Sequence, residues 1–195
     1  MGFSHSWIAV SGLTPDAAVA ALGAEVVGEL DAEEFPETLG MGVLPGGWLL
    51  VVSSDFDDAF KGRLARLAAL GPAVACAIEE HVMHAEARGY DAGSETWRVV
   101  RDPDDDHLEM TGAPPAALTA IRDEAVRRQD ADEASGIDRL FEAPADMAAA
   151  ICGYQLGVEE PEGFRYTELR YLRETASSGG GGKPGFFARL FGIKG

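Results

Sequence analysis

Two of the four histidines, His81 and His84 in the segment EEHVMH, lie three residues apart, and histidines at this spacing on a helix can chelate a metal ion. The segment instead favours a strand, on which residues three apart point to opposite faces. The glutamate that follows the first histidine in an H-E-x-x-H motif is also missing. We therefore predict ordinary surface or core histidines here, with no metal ion and no cofactor.

Four aspartates lie close together in DPDDDHLEMTG (102–112). An EF-hand loop that began at Asp102 would have acids at its first, third and fifth positions. Its sixth position, which needs glycine for a sharp turn, would be His107, and its twelfth would be Ala113 instead of glutamate. The pattern therefore favours a solvated acidic turn over a calcium site.

The sequence offers few candidate residues for a catalytic nucleophile or for a phosphate-binding loop. Cys76 and Cys152 lie in apolar runs, where a thiol is usually inert, although either could in principle pair with His81. The chain has no G-x-S-x-G motif, and GMGVLPGG is not followed by the Lys-Ser/Thr of a phosphate-binding loop. We predict no catalytic residue, and an enzyme whose site is assembled from scattered residues is the third hypothesis for function.

The charge of the chain is strongly asymmetric. Its formal net charge is −17, and residues 176–195 contribute three positive charges and no negative one, so residues 1–175 carry −20. An acidic body of this kind repels nucleic acid and attracts cationic partners. The N-terminal residues lack the pattern of a signal peptide, and two cysteines without a CxxC neighbour suit a reducing compartment, so we expect a cytoplasmic protein.

The first third of the chain predicts strands and two helices. One helix is predicted in LTPDAAVAALGAE (13–25), with Thr14 as N-cap, Pro15 at the first helical position and Gly23 as the stop. A second helix is predicted over 55–72 from the spacing of its apolar residues, with its start at Asp55 or Asp57 and its stop at Gly71 and Pro72. Strands are predicted over 6–12, 25–30 and 39–55, the last of which is broken into a hairpin at 45–47.

Residues 73–102 predict two long strands joined by a turn within Arg88–Ser94, with Trp97 packed inward. A helix over 73–88 is the alternative, because Ala and Glu favour it. Two further helices are predicted, one over 114–134 and one that begins at 144 and ends at Gly153 or Gly157. The order of elements suits an α+β fold, a mostly antiparallel sheet with helices packed on one face, in a single domain over 1–175.

The C-terminal residues have a different composition. Residues 176–185 predict a Gly/Ser linker, and residues 186–195 predict a basic amphipathic docking peptide. If this peptide is helical, Phe186, Leu190 and Ile193 form one apolar stripe. Phe187 and Phe191 lie beside the stripe, and the cations Arg189 and Lys194 lie nearer its edge. The receiver of the peptide is left open between a partner protein, the chain's own body or a neighbouring copy, and a membrane.

The stretch SWIAVSGLTPDAAVAALGAE, followed later by GGWLLVV, resembles the start of small bacterial proteins of unknown function, some of which are carried near polymorphic toxin and secretion genes. The resemblance covers about the first 55 residues. It rests on residues that set turns and a core, namely Trp7, Gly12, Leu13, Leu22, Gly23, Gly47 and Trp48. It implies an intracellular interaction protein and carries no catalytic motif.

These observations together predict a non-enzymatic protein-interaction domain, of an immunity-like kind, that binds a cationic partner. The alternative is a peripheral membrane or complex adaptor that acts through the peptide FFARLFGIK (186–194), with weak membrane association. We expect no nucleic-acid partner, because the few arginines cannot neutralise a phosphate track beside 33 acidic residues.

Overall fold

A computed structural model describes residues 4–31, 34–132, 136–156, 158 and 161–172. Its strands are β1 (Ser4–Ser11), β2 (Ala24–Glu29), β3 (Leu39–Val43), β4 (Trp48–Ser53), β5 (Ala73–Glu79), β6 (His84–Asp91), β7 (Ser94–Arg101), β8 (Leu108–Gly112) and β9 (Thr167–Tyr171). Its helices are α1 (Pro15–Leu22), a 3₁₀ helix (Leu64–Leu70), α2 (Ala116–Ala131) and α3 (Ala143–Cys152). The predicted linker 176–185 and docking peptide 186–195 lie outside the described residues.

The nine strands form one sheet in the order β2-β9-β3-β4-β1-β5-β6-β7-β8. Every strand pair in the described part of the chain is antiparallel. The predicted α+β fold with an antiparallel sheet is therefore confirmed. Within the same residues, no helix combines the length and the apolar character needed to cross a bilayer.

The prediction that the helices pack on one face is wrong, because helices cover both faces of the sheet. Trp7 and Ala9 of β1 pack with α2 and α3, whereas Ile8 and Val10 pack with α1 and the 3₁₀ helix. Successive residues of a strand point to opposite faces. A central antiparallel strand that is apolar at four successive positions, Trp7–Val10, therefore needs a layer on each side. We call these the α3 face and the α1 face.

Helix α1 begins and ends where the sequence predicts. The Thr14 Oγ1 accepts a hydrogen bond from the Ala17 backbone N–H at 3.4 Å, and Pro15 is the first helical residue. Gly23 adopts the left-handed conformation with φ 59°, which ends the helix and turns the chain directly into β2. All of these signals are local, so the tertiary fold does not override them.

The helix predicted over 55–72 is wrong, since only Leu64–Leu70 is helical and it is a 3₁₀ helix. Two aspartates bond to backbone groups in the preceding segment. Asp55 Oδ1 accepts from the Asp57 N–H, and Asp58 Oδ1 accepts from the N–H groups of Arg63 and Leu64. These bonds offer the backbone an alternative to an α-helix, and they hold residues 55–62 in consecutive turns.

The two strands predicted over 73–102 are three strands in the structure. The turn within Arg88–Ser94 is confirmed at Ala92 and Gly93, which have φ of 47° and 79°, and Trp97 is packed inward with 4% exposure. A further turn at 80–83 separates β5 from β6. The strands β8 and β9 are not predicted, and β8 begins inside the stretch predicted as an acidic turn. Strand β9 inserts between β2 and β3.

Candidate binding groove

A cavity of about 560 Å³ lies on the α1 face, between strands β5–β7 and the segment 55–62, and we call it the groove. The segment is anchored to the sheet by a buried hydroxyl. Ser6 Oγ donates to the Asp55 carbonyl oxygen at 2.6 Å and accepts from the Ala59 N–H at 3.1 Å. Strand β1 therefore fixes the outer wall of the groove to the sheet that forms its floor.

Three charged side chains from two neighbouring strands form the floor. Glu86 and Arg88 of β6 point to the same face, and Arg98 of β7 lies directly opposite Arg88. On the neighbouring strand β5, Ala77 lies opposite Glu86 and Ala75 lies opposite Arg88. The small alanine side chains leave space for the larger charged ones. The floor is therefore polar in a part of the sheet where the same face otherwise carries apolar core residues.

Glu86 is the centre of this arrangement, and its side chain is only 7% exposed. Its Oε1 accepts a hydrogen bond from Arg88 Nε at 2.6 Å and a second from Arg98 Nε. Arg88 also donates from Nη1 to Glu95 Oε2 at 3.2 Å. We call Glu86, Arg88 and Arg98 the charged triad.

The charges of the triad stabilise one another. Burial acts to raise the pKa of Glu86, but hydrogen bonds from Arg98 and Arg88 outweigh it, and the pKa lies below its usual value. Burial acts to lower the pKa of Arg88, and its bond to Glu86 reverses this, while the same carboxylate raises the pKa of Arg98. All three groups therefore keep their charge at neutral pH.

The outer wall of the groove is largely apolar. Phe60 lies under the Arg88 guanidinium, whose Cζ is 4.3 Å from the ring centroid. Phe56 packs edge-on against His84, with ring centroids 5.6 Å apart. Val82, in the turn between β5 and β6, is 56% exposed at the opening. Rings and an exposed aliphatic group thus line an opening that water reaches.

Carboxylates lie along the rim of the groove. The two nitrogens of His84 each face a carboxylate oxygen at 4.0 Å, Nε2 towards Glu86 Oε2 and Nδ1 towards Asp102 Oδ2. Glu79 lies directly across from His84 on β5 and accepts from His81 Nδ1 at 2.7 Å. On the outer wall, Asp57 pairs with Lys61. The groove therefore has an acidic rim above a floor whose charges are paired.

The histidines weighed as metal ligands do not come together. His81 lies in the turn 80–83 beside Glu79, while His84 begins β6 and faces the groove. Among the described residues, no group of three or more His, Cys, Asp or Glu side chains is placed to hold a metal ion.

The acidic stretch that begins at Asp102 is folded around an arginine. Arg101 donates from Nη1 to the carbonyl oxygens of Asp102 and Asp105, and from Nε to Asp138 Oδ2 at 2.8 Å. Carbonyl oxygens that a calcium ion would need are thus used by a guanidinium.

Neither cysteine has the surroundings of a nucleophile. Both are buried and reduced, and burial raises the pKa of Cys152 to about 11. Burial also raises the pKa of Cys76, with further contributions from Cys152 and Glu86. The His81 side chain is exposed to solvent in its turn, whereas both thiols are buried, so His81 is not placed to activate either of them.

The sequence analysis did not single out Glu86, Arg88 or Arg98. A signal was present, because Glu86 and Arg88 occupy alternate positions of a strand in which Ala85, Ala87 and Gly89 are the intervening residues. Charges that share one face of an otherwise small and apolar strand indicate a polar surface or site.

Comparisons with protein-family models, with curated proteins and with solved structures found no match for this chain.

Proposed function

We propose that this chain is a protein-interaction domain that binds a basic, partly apolar segment of a partner protein in the groove. The observation that carries the proposal is the pairing of an open apolar wall with an acidic rim, above a floor whose charges are internally paired. An immunity-like role, in which the domain neutralises a basic toxin, is the form of this function that its acidity favours.

The chemistry of the groove suits binding better than catalysis. A general acid or base works best when its pKa lies near the working pH. The pKa of Glu86 is lowered and those of Arg88 and Arg98 are raised, so all three pKa values move further from pH 7. A triad of this kind keeps a fixed shape and charge, which is what a recognition surface requires.

The charge of the groove favours a cationic occupant. Glu79 and Asp102 flank the opening, and the whole chain carries a net charge of −17. A field of that sign steers cationic partners to the surface and repels anionic ones. A Lys or Arg head group on the occupant would find carboxylates at the rim and aromatic faces beside it.

The wall of the groove favours an occupant with apolar side chains as well. Phe56 and Phe60 are half-buried and Val82 is exposed, so a partner's Phe or Leu would cover surface that water now reaches. A fully buried large apolar side chain contributes about 1.5–3 kcal/mol. With one or two such anchors and the cost of ordering a short peptide, a ten-residue probe is expected to bind an unoccupied groove with a dissociation constant on the order of 100 µM.

The test uses two fluorescein-labelled ten-residue peptides that differ only in charge. One combines Phe and Leu with Lys and Arg, and the other has Glu at every Lys and Arg position. Fluorescence anisotropy with the full chain should show saturable binding of the basic peptide, weakened by added salt, and none of the acidic peptide. Equal binding of both peptides would contradict the proposal.

A matched pair of variants locates the binding site. Val82→Lys places a positive charge at the opening of the groove, whereas Val126→Lys places the same charge on α2, which packs on the α3 face. Both valines are exposed, at 56% and 39%. In a chain that also carries Phe187→Ser, Leu190→Ser and Phe191→Ser, Val82→Lys should weaken binding of the basic peptide about five- to tenfold through like-charge repulsion and lost apolar contact. Val126→Lys should change it less than twofold, and equal effects of the two variants would place the binding elsewhere.

A further inference from the structure

We infer that the groove is occupied in the free protein by the chain's own C-terminal peptide, residues 186–194, which a partner has to displace. The inference rests on the proposed function, because it names a second ligand of the same groove. It is carried by the place where the chain leaves the described residues, by the length that follows, and by the chemistry of the peptide.

The described chain ends beside the segment that forms the outer wall of the groove. Tyr171, at the end of β9, donates its hydroxyl to Asp58 Oδ2 at 2.6 Å. The Arg63 guanidinium lies 4.5 Å from the centroid of the Tyr171 ring and donates to the Leu172 carbonyl oxygen at 3.4 Å. The end of the described chain is therefore held against the segment 55–63 at Asp58 and Arg63, which line a different pocket from the groove.

The remaining length of chain is sufficient to reach the groove. Phe60 of the outer wall lies three residues from Arg63, so their Cα atoms are at most about 11 Å apart. Thirteen residues, 173–185, separate Leu172 from Phe186. A stretch of that length can span up to about 43 Å, so the peptide can pass around the wall without being drawn taut.

The peptide has the composition that the groove is proposed to accept. It carries two cations, Arg189 and Lys194, and no acid, and these complement the rim carboxylates. Its apolar residues complement the exposed apolar wall; they are Phe186, Phe187, Leu190, Phe191 and Ile193. The same peptide on a partner would meet the description of a ligand for this site.

Tethering makes a weak contact effective. A linked segment of this kind experiences an effective concentration on the order of 1 mM. If the free peptide binds with a dissociation constant of about 100 µM, the docked form outnumbers the undocked one about tenfold. An external ligand for the groove then shows an apparent affinity about tenfold lower than its intrinsic one.

The experiment uses the full chain with Phe187→Ser, Leu190→Ser and Phe191→Ser together, which we call the tail variant. It removes apolar contacts and leaves the charge unchanged. The tail variant should bind the basic ten-residue peptide about tenfold more tightly than the wild type does. A control with Gly180→Ser and Gly181→Ser in the linker should bind as the wild type does. Equal affinity of tail variant and wild type, with binding still sensitive to Val82→Lys, would overturn the inference and leave the proposed function standing.

A second readout does not depend on any partner probe. Both native cysteines are buried, so a nitroxide can be attached selectively through Gly195→Cys. In ¹⁵N-labelled full chain, the nitroxide should broaden the amide signals of residues 56–61 and 82–84, and spare those of α2. This broadening should diminish in the Val82→Lys background. Docking in the chain's own groove is refuted if the broadening persists in that background. It is also refuted if the broadening arises only between molecules, that is, if a nitroxide-labelled chain without ¹⁵N broadens the same signals of an added ¹⁵N-labelled chain to the full extent. Broadening at the groove without binding of either ten-residue peptide to the tail variant would refute the proposed function alone.

Discussion

Replacing Glu86 by Gln is expected to lower the free energy of unfolding by about 2–4 kcal/mol. The change removes the one negative charge that lies between Arg88 and Arg98 and keeps the size of the side chain. Removing one partner of a buried ion pair typically costs about 3–5 kcal/mol, because the other partner stays buried and uncompensated. The Glu86 side chain is 7% exposed, but those of Arg88 and Arg98 are 22% and 33% exposed. Water therefore recovers part of the loss, which places the expected cost below the top of that range.

Glu95→Gln is the matched control for this variant. Glu95 Oε2 accepts from Arg88 Nη1 at 3.2 Å, but its side chain is 38% exposed. Exposed ion pairs contribute about 0–1 kcal/mol, so the control should cost less than about 1 kcal/mol. The two variants remove the same chemical group from the same arginine, and they differ in burial and in the second arginine that Glu86 also holds.

The pH dependence gives an independent check. The pKa of Glu86 is lower in the folded protein than its ordinary value of 4.5. The stability that this carboxylate contributes is present above pH 4.5 and is lost as the pH falls through the folded pKa. The gap between wild type and Glu86→Gln should therefore be largest at pH 7 and shrink below about pH 4.5.

The assay is urea unfolding followed by tryptophan fluorescence at pH 7 and at pH 3.5. If Glu86→Gln costs no more than Glu95→Gln at pH 7, or if its cost is the same at both pH values, the triad does not form as described. A change in the slope of the unfolding free energy with urea would instead indicate that the variant alters the denatured state.

Three further outcomes are expected. Trp97→Ala should cost about 3–5 kcal/mol, because the side chain is 4% exposed and its indole covers Gly89; a loss below about 1 kcal/mol with a binding defect would make it a recognition residue. Deleting residues 176–195 should lower the melting temperature by no more than about 6 °C, because only a docked peptide is lost; a drop beyond about 10 °C would make these residues part of the core. Cys76 and Cys152 should react with a thiol reagent at pH 8 only at the rate of unfolding, since both are buried and both pKa values are raised; fast labelling of either would contradict its burial.

Local signals explain why parts of the fold could be predicted from the sequence. Helix α1 has its N-cap at Thr14, its first-turn proline and its terminal Gly23 within ten residues, and each acts on the backbone next to it. The turn before β7 is likewise marked by Gly93, which adopts a φ of 79° that a residue without Cβ reaches at no steric cost. These elements need no information from distant parts of the chain.

Long-range contacts explain the failures. The apolar spacing over 55–72 suits a helix, but Ser6, about fifty residues away in sequence, draws residues 55–59 onto the sheet by two hydrogen bonds. Strand β9 is only five residues long. It pairs with β2 and β3, which precede it by more than a hundred residues in the sequence. The groove arises from the same long-range contacts, so its charged residues could be noticed in the sequence but not joined into a site.

The most direct test of the proposed function is a map of where the basic peptide binds. Addition of the basic ten-residue peptide to ¹⁵N-labelled tail variant should shift amide signals of residues 56–61, 82–88 and 98 in a saturable way. The acidic peptide should leave those signals in place, and Val82→Lys should raise the peptide concentration at half-saturation about five- to tenfold. Shifts confined to other surfaces, such as α2 or the edge strand β8, or identical shifts with both peptides, would contradict the proposal that the groove recognises a basic, apolar segment.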